Sequence, residues 1–399
     1  MQYISVTTVE EKYNCKIECV FSANNTPISD AKNTIAAQDD YYDVIYDGLG
    51  SIYNVAMENM VTDFYTLDYI DFSKPWWDSA MNDTLSVNGK LYATYGEHMI
   101  GPKSGLYCLF FSKKLVSDLN LTEPYEYVRD NTWTMDKFIE MAKTGNADLD
   151  GDGKMTGADQ FGHITEGYSG YTFIVACGWT IGTKDENDMI TINSFDDEFY
   201  AKADKITEAL GDKEITNYVS AVPGVTDVWG AFWNGAFTNN QFLFREGAMH
   251  DSPDLREMDS DFGIVPIPKY NESQENYYST NSVINAQMMC IPVSASSPDD
   301  VAYVLEAMAY YSVDILTPVY YNVVLQGKTF RDNDSEEMLD IIFASKVFDI
   351  GNAFDIGSVR DVIQDAVVNN TGKLASNLAK KEKAIAKKIA DIAENFAEE

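Results

Sequence analysis

Leu106-Tyr107-Cys108-Leu109-Phe110-Phe111-Ser112-Lys113-Lys114-Leu115-Val116-Ser117-Asp118-Leu119 is the stretch that decides the fold class. Its first six residues are an unbroken apolar run, which a strand covered on both faces requires. From Ser112 to Leu119 the apolar spacing turns helical. A strand feeding straight into a helix is the unit of an α/β protein. Upstream, Gln2 to Tyr13 reads as a helix, Lys16 to Phe21 as a strand, and Asp43 to Tyr46 as a short strand ending in the loop Asp47-Gly48-Leu49-Gly50. Asn88-Gly89 between two strand-like runs signals a hairpin. Downstream, Thr134 to Thr144 reads as a helix that Thr134 can cap. Gly263 to Pro268 is extended, because each proline biases the residue before it towards β. Gln287 to Pro292 reads as a buried strand and Asp299 to Tyr311 as a helix opened by Ser296-Ser297-Pro298. Leu374, Leu378, Ile385, Ile389, Ile392 and Phe396 fall three, four or seven apart, on one face of a final helix whose lysines from Lys380 to Lys388 form its solvated side.

A chain of 399 residues suits two or three domains. It has no repeat and no low-complexity linker, so lobes would be joined by short crossings. With 29 Lys and Arg against 63 Asp and Glu, the formal charge of −34 repels phosphate backbones and anionic membrane surfaces, and no nucleic-acid partner is expected. Five cysteines, Cys15, Cys19, Cys108, Cys177 and Cys290, are too few for a disulfide framework, and the last three sit in apolar runs. No run reaches the roughly 18 apolar residues of a membrane span. The first residues lack the charged start and apolar centre of a signal peptide. The 25 Tyr and 6 Trp serve a large core, and they are also residue types that stack on sugars.

Residues 148 to 159 carry the clearest chemistry, Asp-Leu-Asp-Gly-Asp-Gly-Lys-Met-Thr-Gly-Ala-Asp. Asp148, Asp150 and Asp152 occupy loop positions 1, 3 and 5, Gly153 allows the sharp turn at 6, the Lys154 carbonyl falls at 7, Thr156 at 9 and Asp159 at 12. A calcium ion needs six to eight oxygens around one point, and this spacing supplies them, although Asp159 stands where a longer Glu is usual. The expected cofactor is a structural calcium ion that staples the loop. Catalytic patterns are missing. There is no Gly-x-Ser-x-Gly elbow and no His-Glu-x-x-His, and Gly327-Lys328-Thr329 lacks the upstream glycine of a phosphate loop, with Asn322 in its place. The 63 acids still offer many chance pairs for glycoside hydrolysis, so a calcium-dependent extracellular carbohydrate-active enzyme stays as the alternative.

Several stretches, in order along most of the chain, resemble the maltose-binding-protein-like solute-binding proteins of bacterial ABC sugar importers. They are Val9-Glu10-Glu11-Lys12-Tyr13-Asn14, Tyr42 to Gly48, Pro75-Trp76-Trp77, Asn88-Gly89-Lys90-Leu91-Tyr92, Leu109 to Leu115, Thr132 to Phe138, Phe244 to Met249 and Asp261 to Lys269. Members of that family carry a lipoprotein signal and a strand before the first helix. This sequence opens on the helix, so a start that is trimmed or set too far downstream is expected, with export inferred from the resemblance.

The resemblance implies a two-lobed α/β fold of the periplasmic-binding-protein type II kind. One lobe would take residues 1–110 with about 270–318, the other 111–269 with about 319–399, and hinges would lie near Leu109 to Lys113, Ile264 to Lys269 and Tyr311 to Leu325. It implies a non-catalytic, monomeric, cell-surface protein that closes on a sugar and delivers it to permease subunits. The ligand-binding candidates lie on loops after strands or are aromatic: Asp47, Trp76, Trp77, Glu97, His98, Trp179, Trp229, Trp233, His250 and Asp251. Each has a plainer reading as a turn, surface or core residue, and Arg360 reads as a surface ion pair.

Overall fold

The computed structural model describes residues 2–256, 258–320, 332–369 and 372–397. Eleven strands are present among them: β1 Ile45–Gly48, β2 Tyr107–Ser112, β3 Phe161–Thr165, β4 Gly182–Lys184, β5 Ile190–Ile192, β6 Thr216–Tyr218, β7 Phe242–Ala248, β8 Phe262–Val265, β9 Ser279–Thr280, β10 Gln287–Cys290 and β11 Lys346–Val347. The main sheet has the order β6-β3-β7-β2-β8. In it β6, β3 and β7 run parallel, and β2 lies antiparallel to both β7 and β8. Every residue of β2, β3 and β7 is buried, which is why the deciding stretch is a continuous apolar run and not an alternating one. Helices cover the sheet. Ser112 caps the helix Lys113–Asp118 by accepting from the Leu115 amide at 3.1 Å, so strand and helix join with no loop between them. The core on the face of the helix Met135–Gly145 is aromatic, with Phe138 5.6 Å from Phe244 and 5.5 Å from Phe173 between ring centroids.

A second, smaller layer pairs β1 with β10 antiparallel, extended by single bridges from Thr94 to Met289 and Val61 to Pro292. The helix Leu49–Ala56 follows β1 directly, so the expected Asp47-Gly48-Leu49-Gly50 loop is the end of a strand and the first turn of a helix. The helix Pro298–Val313 packs against the first helix, Gln2–Tyr13. Asn88 and Gly89 take φ of 50° and 69° between the bridged pair Val87 and Lys90, the turn their sequence signals. No helix among the described residues is long and apolar enough to cross a membrane.

Three local expectations differ from what forms. Residues 16–21 make no strand; Ile17 gives its amide to the Glu10 carboxylate at 2.9 Å, and Phe21 is 89% exposed. β propensity alone does not form a strand where no neighbour offers a ladder. Thr134 stands at the head of the helix Met135–Gly145, but its side chain makes no capping bond; its backbone instead bridges Lys269. The final apolar face belongs to two helices, Leu374–Ala379 and Glu382–Asn395, because its two halves pack on different surfaces: the first on the helix Val359–Asn369, the second on residues 356–358 and β5. The Tyr311 to Leu325 hinge lies partly, and Gly327-Lys328-Thr329 wholly, outside the described residues.

Candidate ligand-binding site

Parallel strands bring their carboxyl ends to one edge, where helix amides and loops are free to meet a ligand. Here β3 ends at Thr165, the parallel β7 runs past that level to Ala248, and antiparallel β2 starts at the same edge, with Tyr107 opposite Ala248. The residues that follow these ends form a cluster. Tyr107 donates to Glu166 at 3.3 Å and stacks on Tyr168, with centroids 5.2 Å apart and planes 24° apart. Burial pushes the Glu166 carboxyl up from its usual range, the Tyr107 hydroxyl lowers it, and the Asp251 charge raises it further. Tyr168 accepts from the Asn352 amide at 3.1 Å, and Asn352 in turn accepts from Arg360 at 3.3 Å. Arg360 pairs with Asp361 at 3.0 Å while lying 5.9 Å from the Tyr168 ring centroid, so the ion-pair reading holds although the residue borders the cluster.

The end of β7 supplies the remaining groups. His250 is 42% exposed, and its Nε2 lies 3.4 Å from an Asp251 oxygen. The other Asp251 oxygen accepts from Arg245 at 2.8 Å. Arg245 is wholly buried and lies 4.3 Å from the Trp233 ring centroid. Trp233 meets Trp229 edge-on at 6.0 Å, and Trp229 is 56% exposed. Both tryptophans sit on a π-helical segment, Val228–Ala236, opened by Asp227, whose carboxylate accepts from the Gly230 and Ala231 amides. The edge thus carries carboxylates, phenol hydroxyls and one exposed indole. Surface hollows of about 500 Å³ beside Thr132 and Asn271 and about 190 Å³ beside Tyr200 and Gly372 are lined by none of these residues.

No family model matches the chain, and no curated protein is similar to it in sequence. Solved structures are similar to it in shape. The maltose/maltodextrin-binding domain MalE of Bdellovibrio bacteriovorus, bound to maltotriose, has a TM-score of 0.59 at 14% identity, with 99% of this chain and 96% of that one covered. The galacto-N-biose/lacto-N-biose I-binding protein of the ABC transporter of Bifidobacterium longum, in complex with lacto-N-biose, gives 0.65 at 13%, covering 97% and 92%. UgpB of Mycobacterium tuberculosis, in complex with glycerophosphocholine, gives 0.64 at 13%, covering 97% and 94%. This is the two-lobed fold of the maltose-binding-protein-like solute-binding proteins.

The ten residues singled out from the sequence differ in their surroundings. His250, Asp251, Trp229 and Trp233 fall in or beside the cluster, with Trp233 buried behind it. Trp179 belongs to the core, with Phe199 at 4.5 Å and its indole nitrogen bonded to the Ser194 carbonyl. Trp76 and Trp77 both donate to Glu306 of the helix Pro298–Val313, at 3.0 and 2.8 Å, so both indole nitrogens fasten that helix; Trp77 is buried and Trp76 is half-buried. The Asp47 carboxylate accepts from Ile28 at 2.9 Å and so serves as the cap that Thr26 does not supply to the helix Pro27–Ala36. Glu97 pairs with Lys103 at 2.6 Å. His98 is buried edge-on to Tyr46 and Trp77, and burial holds its imidazole down to about 3, so it is neutral.

The sequence reading missed Tyr107, Glu166, Tyr168 and Asn352. Glu166-Gly167-Tyr168 directly follows β3, and the rule that looks for site residues on loops after strands, applied to Phe161–Thr165, finds it.

In the acidic loop, the carboxylates of Asp148, Asp150 and Asp152 lie within 4.8 Å of one another and are exposed. Gly151 and Gly153 take φ of 76° and 80° and both donate to Asp148 at 2.7 Å, which folds the turn. Asp159 is not with them. Its carboxylate accepts from the amides of Leu149 at 2.9 Å and Thr156 at 2.7 Å, and these bonds hold its carboxyl below the usual range. The structure therefore joins three of the four expected carboxylates and uses the fourth to close the loop.

Proposed function

We propose that the chain is the extracellular substrate-binding component of an ABC importer, which takes a carbohydrate between its lobes and catalyses no reaction. The supporting observation is the strand-end edge: carboxylates of Glu166 and Asp251 and the phenols of Tyr107 and Tyr168 are gathered there, and the exposed Trp229 is joined to Asp251 through Trp233 and Arg245. Hydroxyl-rich ligands with apolar CH faces need that combination of acceptors and rings. What MalE and the lacto-N-biose-binding protein carry in their structures supports the ligand class.

β2 lies wholly in the main sheet, so we place the first crossing just before it, at Gly105–Leu106. The return crossings run beside it, where Leu106 bridges Asn281 and β9 pairs with β11. A monomeric, membrane-anchored lipoprotein that docks on permease subunits completes the proposal.

A thermal-shift screen against mono- and oligosaccharides tests the reading. A ligand that binds only the folded state stabilises it by about 2.7 kcal/mol at a hundredfold excess over its Kd. Trp229→Ala should weaken binding of the sugar so found by roughly 1–3 kcal/mol while leaving the fold intact. No shift with any sugar would remove the carbohydrate assignment.

We further propose that Asp148, Asp150 and Asp152, with the Lys154 carbonyl and Thr156, hold calcium as a staple of the loop, with no part in ligand chemistry. The clustered carboxylates and the two left-handed glycines support it. Melting should occur at higher temperature in calcium than in chelator. The Asp148→Ala/Asp152→Ala variant should melt at one temperature in both. Identical wild-type melting in the two buffers contradicts a structural metal.

A further inference from the structure

Beyond the carbohydrate reading, on which this inference rests, we propose that the end of β7 is a subsite for a hydroxyl donor of a neutral ligand. Asp251 is the acceptor, and Arg245 and Gly247 are the residues that fix its position.

Side chains two apart on a strand share a face, so Arg245 and Gly247 both look towards the segment that carries Asp251. The Arg245 guanidinium has no exposed surface. It is enclosed by the rings of Trp233 at 4.3 Å, Phe110 at 5.9 Å and Phe237 at 6.0 Å. A buried charge is stable only when it is paired and its donors are used. Arg245 is paired by donating to Asp251 at 2.8 Å and to Asn234 at 3.1 Å, while its buried Nε has no partner among the described residues. To reach it, the Asp251 side chain folds back over Gly247. A Cβ at residue 247 would stand 2.5 Å from the Asp251 Oδ2 and 3.2 Å from the Phe110 ring. Glycine is thus required there by the carboxylate lying above it.

The result is a carboxylate with one oxygen clamped and the other turned towards the edge, where its near neighbour is His250 at 3.4 Å. A carboxylate held in this way accepts from a hydroxyl without losing side-chain freedom on binding. Its surroundings set the charge of the ligand. The Arg245 charge is matched by Asp251, the Arg360 charge is matched by Asp361, and the Glu166 carboxyl is raised by burial and by the Asp251 charge, with His250 opposing. A ligand carboxylate or phosphate entering here meets like charges. The same array supports the exposed Trp229 through Trp233, so ring face and hydroxyl acceptor are held by one buried guanidinium.

Two measurements test this. The first uses no ligand: melting of the wild type, Gly247→Ala, Asp251→Ala and the double variant. Gly247→Ala should lower the melting temperature in the wild-type background and lower it much less once Asp251 is truncated. Equal losses in both backgrounds overturn the contact. The second is calorimetry with maltotriose, lacto-N-biose and tagatose as neutral probes and glucuronate as the anionic one. The wild type should bind a neutral probe and not glucuronate. Gly247→Ala and Arg245→Lys, still folded, should bind that probe at least tenfold more weakly. Wild-type affinity in both variants overturns the positioning role, and glucuronate bound as tightly as the neutral sugars overturns the hydroxyl subsite. A wild type that binds neither the neutral probes nor any sugar in the thermal-shift screen, with the melting pattern as expected, overturns the carbohydrate reading and reduces Arg245 and Gly247 to structural residues.

Discussion

Asp349→Ala should destabilise the protein by roughly 3–5 kcal/mol, the range for removing one partner of a buried, fully bonded charge. Asp349 is buried and accepts five bonds: from Ile181 at 2.6 Å, Gly182 at 3.0 Å, Gly351 at 2.8 Å, Asn352 at 3.3 Å and the Tyr171 hydroxyl at 2.8 Å. Burial pushes its carboxyl up, and the five donors around it oppose that shift. Truncation strands four amides and a phenol where Gly182 and Gly351 cross so closely that neither could carry a Cβ. The effect should reach the ligand edge, because Asn352 is one of the stranded amides and its side chain holds Tyr168. Denaturant unfolding gives the loss directly. A change under 1 kcal/mol would show that water replaces the carboxylate without cost.

The second large effect is one of pH. Glu246 lies fully buried in the middle of β7, and burial pushes its carboxyl up to about 8 against the hydrogen bonds of Thr172 and Thr165, with Glu166 raising it further. The unfolded chain releases that proton near pH 4.3, so between roughly pH 4 and 8 the native state holds one proton more than the unfolded state. The contribution is complete below about pH 4 and is lost as pH rises through 8. Glu246→Gln keeps the shape and cannot ionise. It should be close to wild type in stability near pH 4 and exceed it at pH 9 by on the order of 3–5 kcal/mol. Parallel stability–pH curves for the two proteins would mean that Glu246 is solvated.

The strands that could be read from sequence are those covered on both faces. Leu106 to Phe111 and Gln287 to Cys290 announce themselves as apolar runs because no alternation is needed. β3 escaped notice because Phe-Gly-His-Ile-Thr breaks that run for tertiary reasons. Gly162 is there because the helix Met135–Gly145 packs onto the strand backbone; a Cβ would stand 1.7 Å from the Ala142 carbonyl oxygen. His163 is buried and bonded to Thr216 at 3.0 Å, and its imidazole is held down to about 3, so it behaves as a neutral core residue. Missing β3 meant missing Glu166 and Tyr168 after it.

The tryptophans show a different limit. Trp76 and Trp179 lie in turns or loops and Trp229 on the π-helical segment, yet their neighbouring sequence does not tell them apart. What separates them is a partner far away in sequence: Glu306 for the first, Phe199 for the second, and exposure for the third. Local pattern carries no record of such partners. His250 and Asp251 were recoverable because they directly follow Phe244 to Met249, the stretch that resembles the family's motif before a ligand-facing loop.

Closure of two lobes on a sugar is the central claim. Small-angle scattering of the protein with and without the sugar found by thermal shift measures it most directly. The account predicts a smaller radius of gyration when that sugar is bound. An unchanged radius at saturating sugar would contradict it.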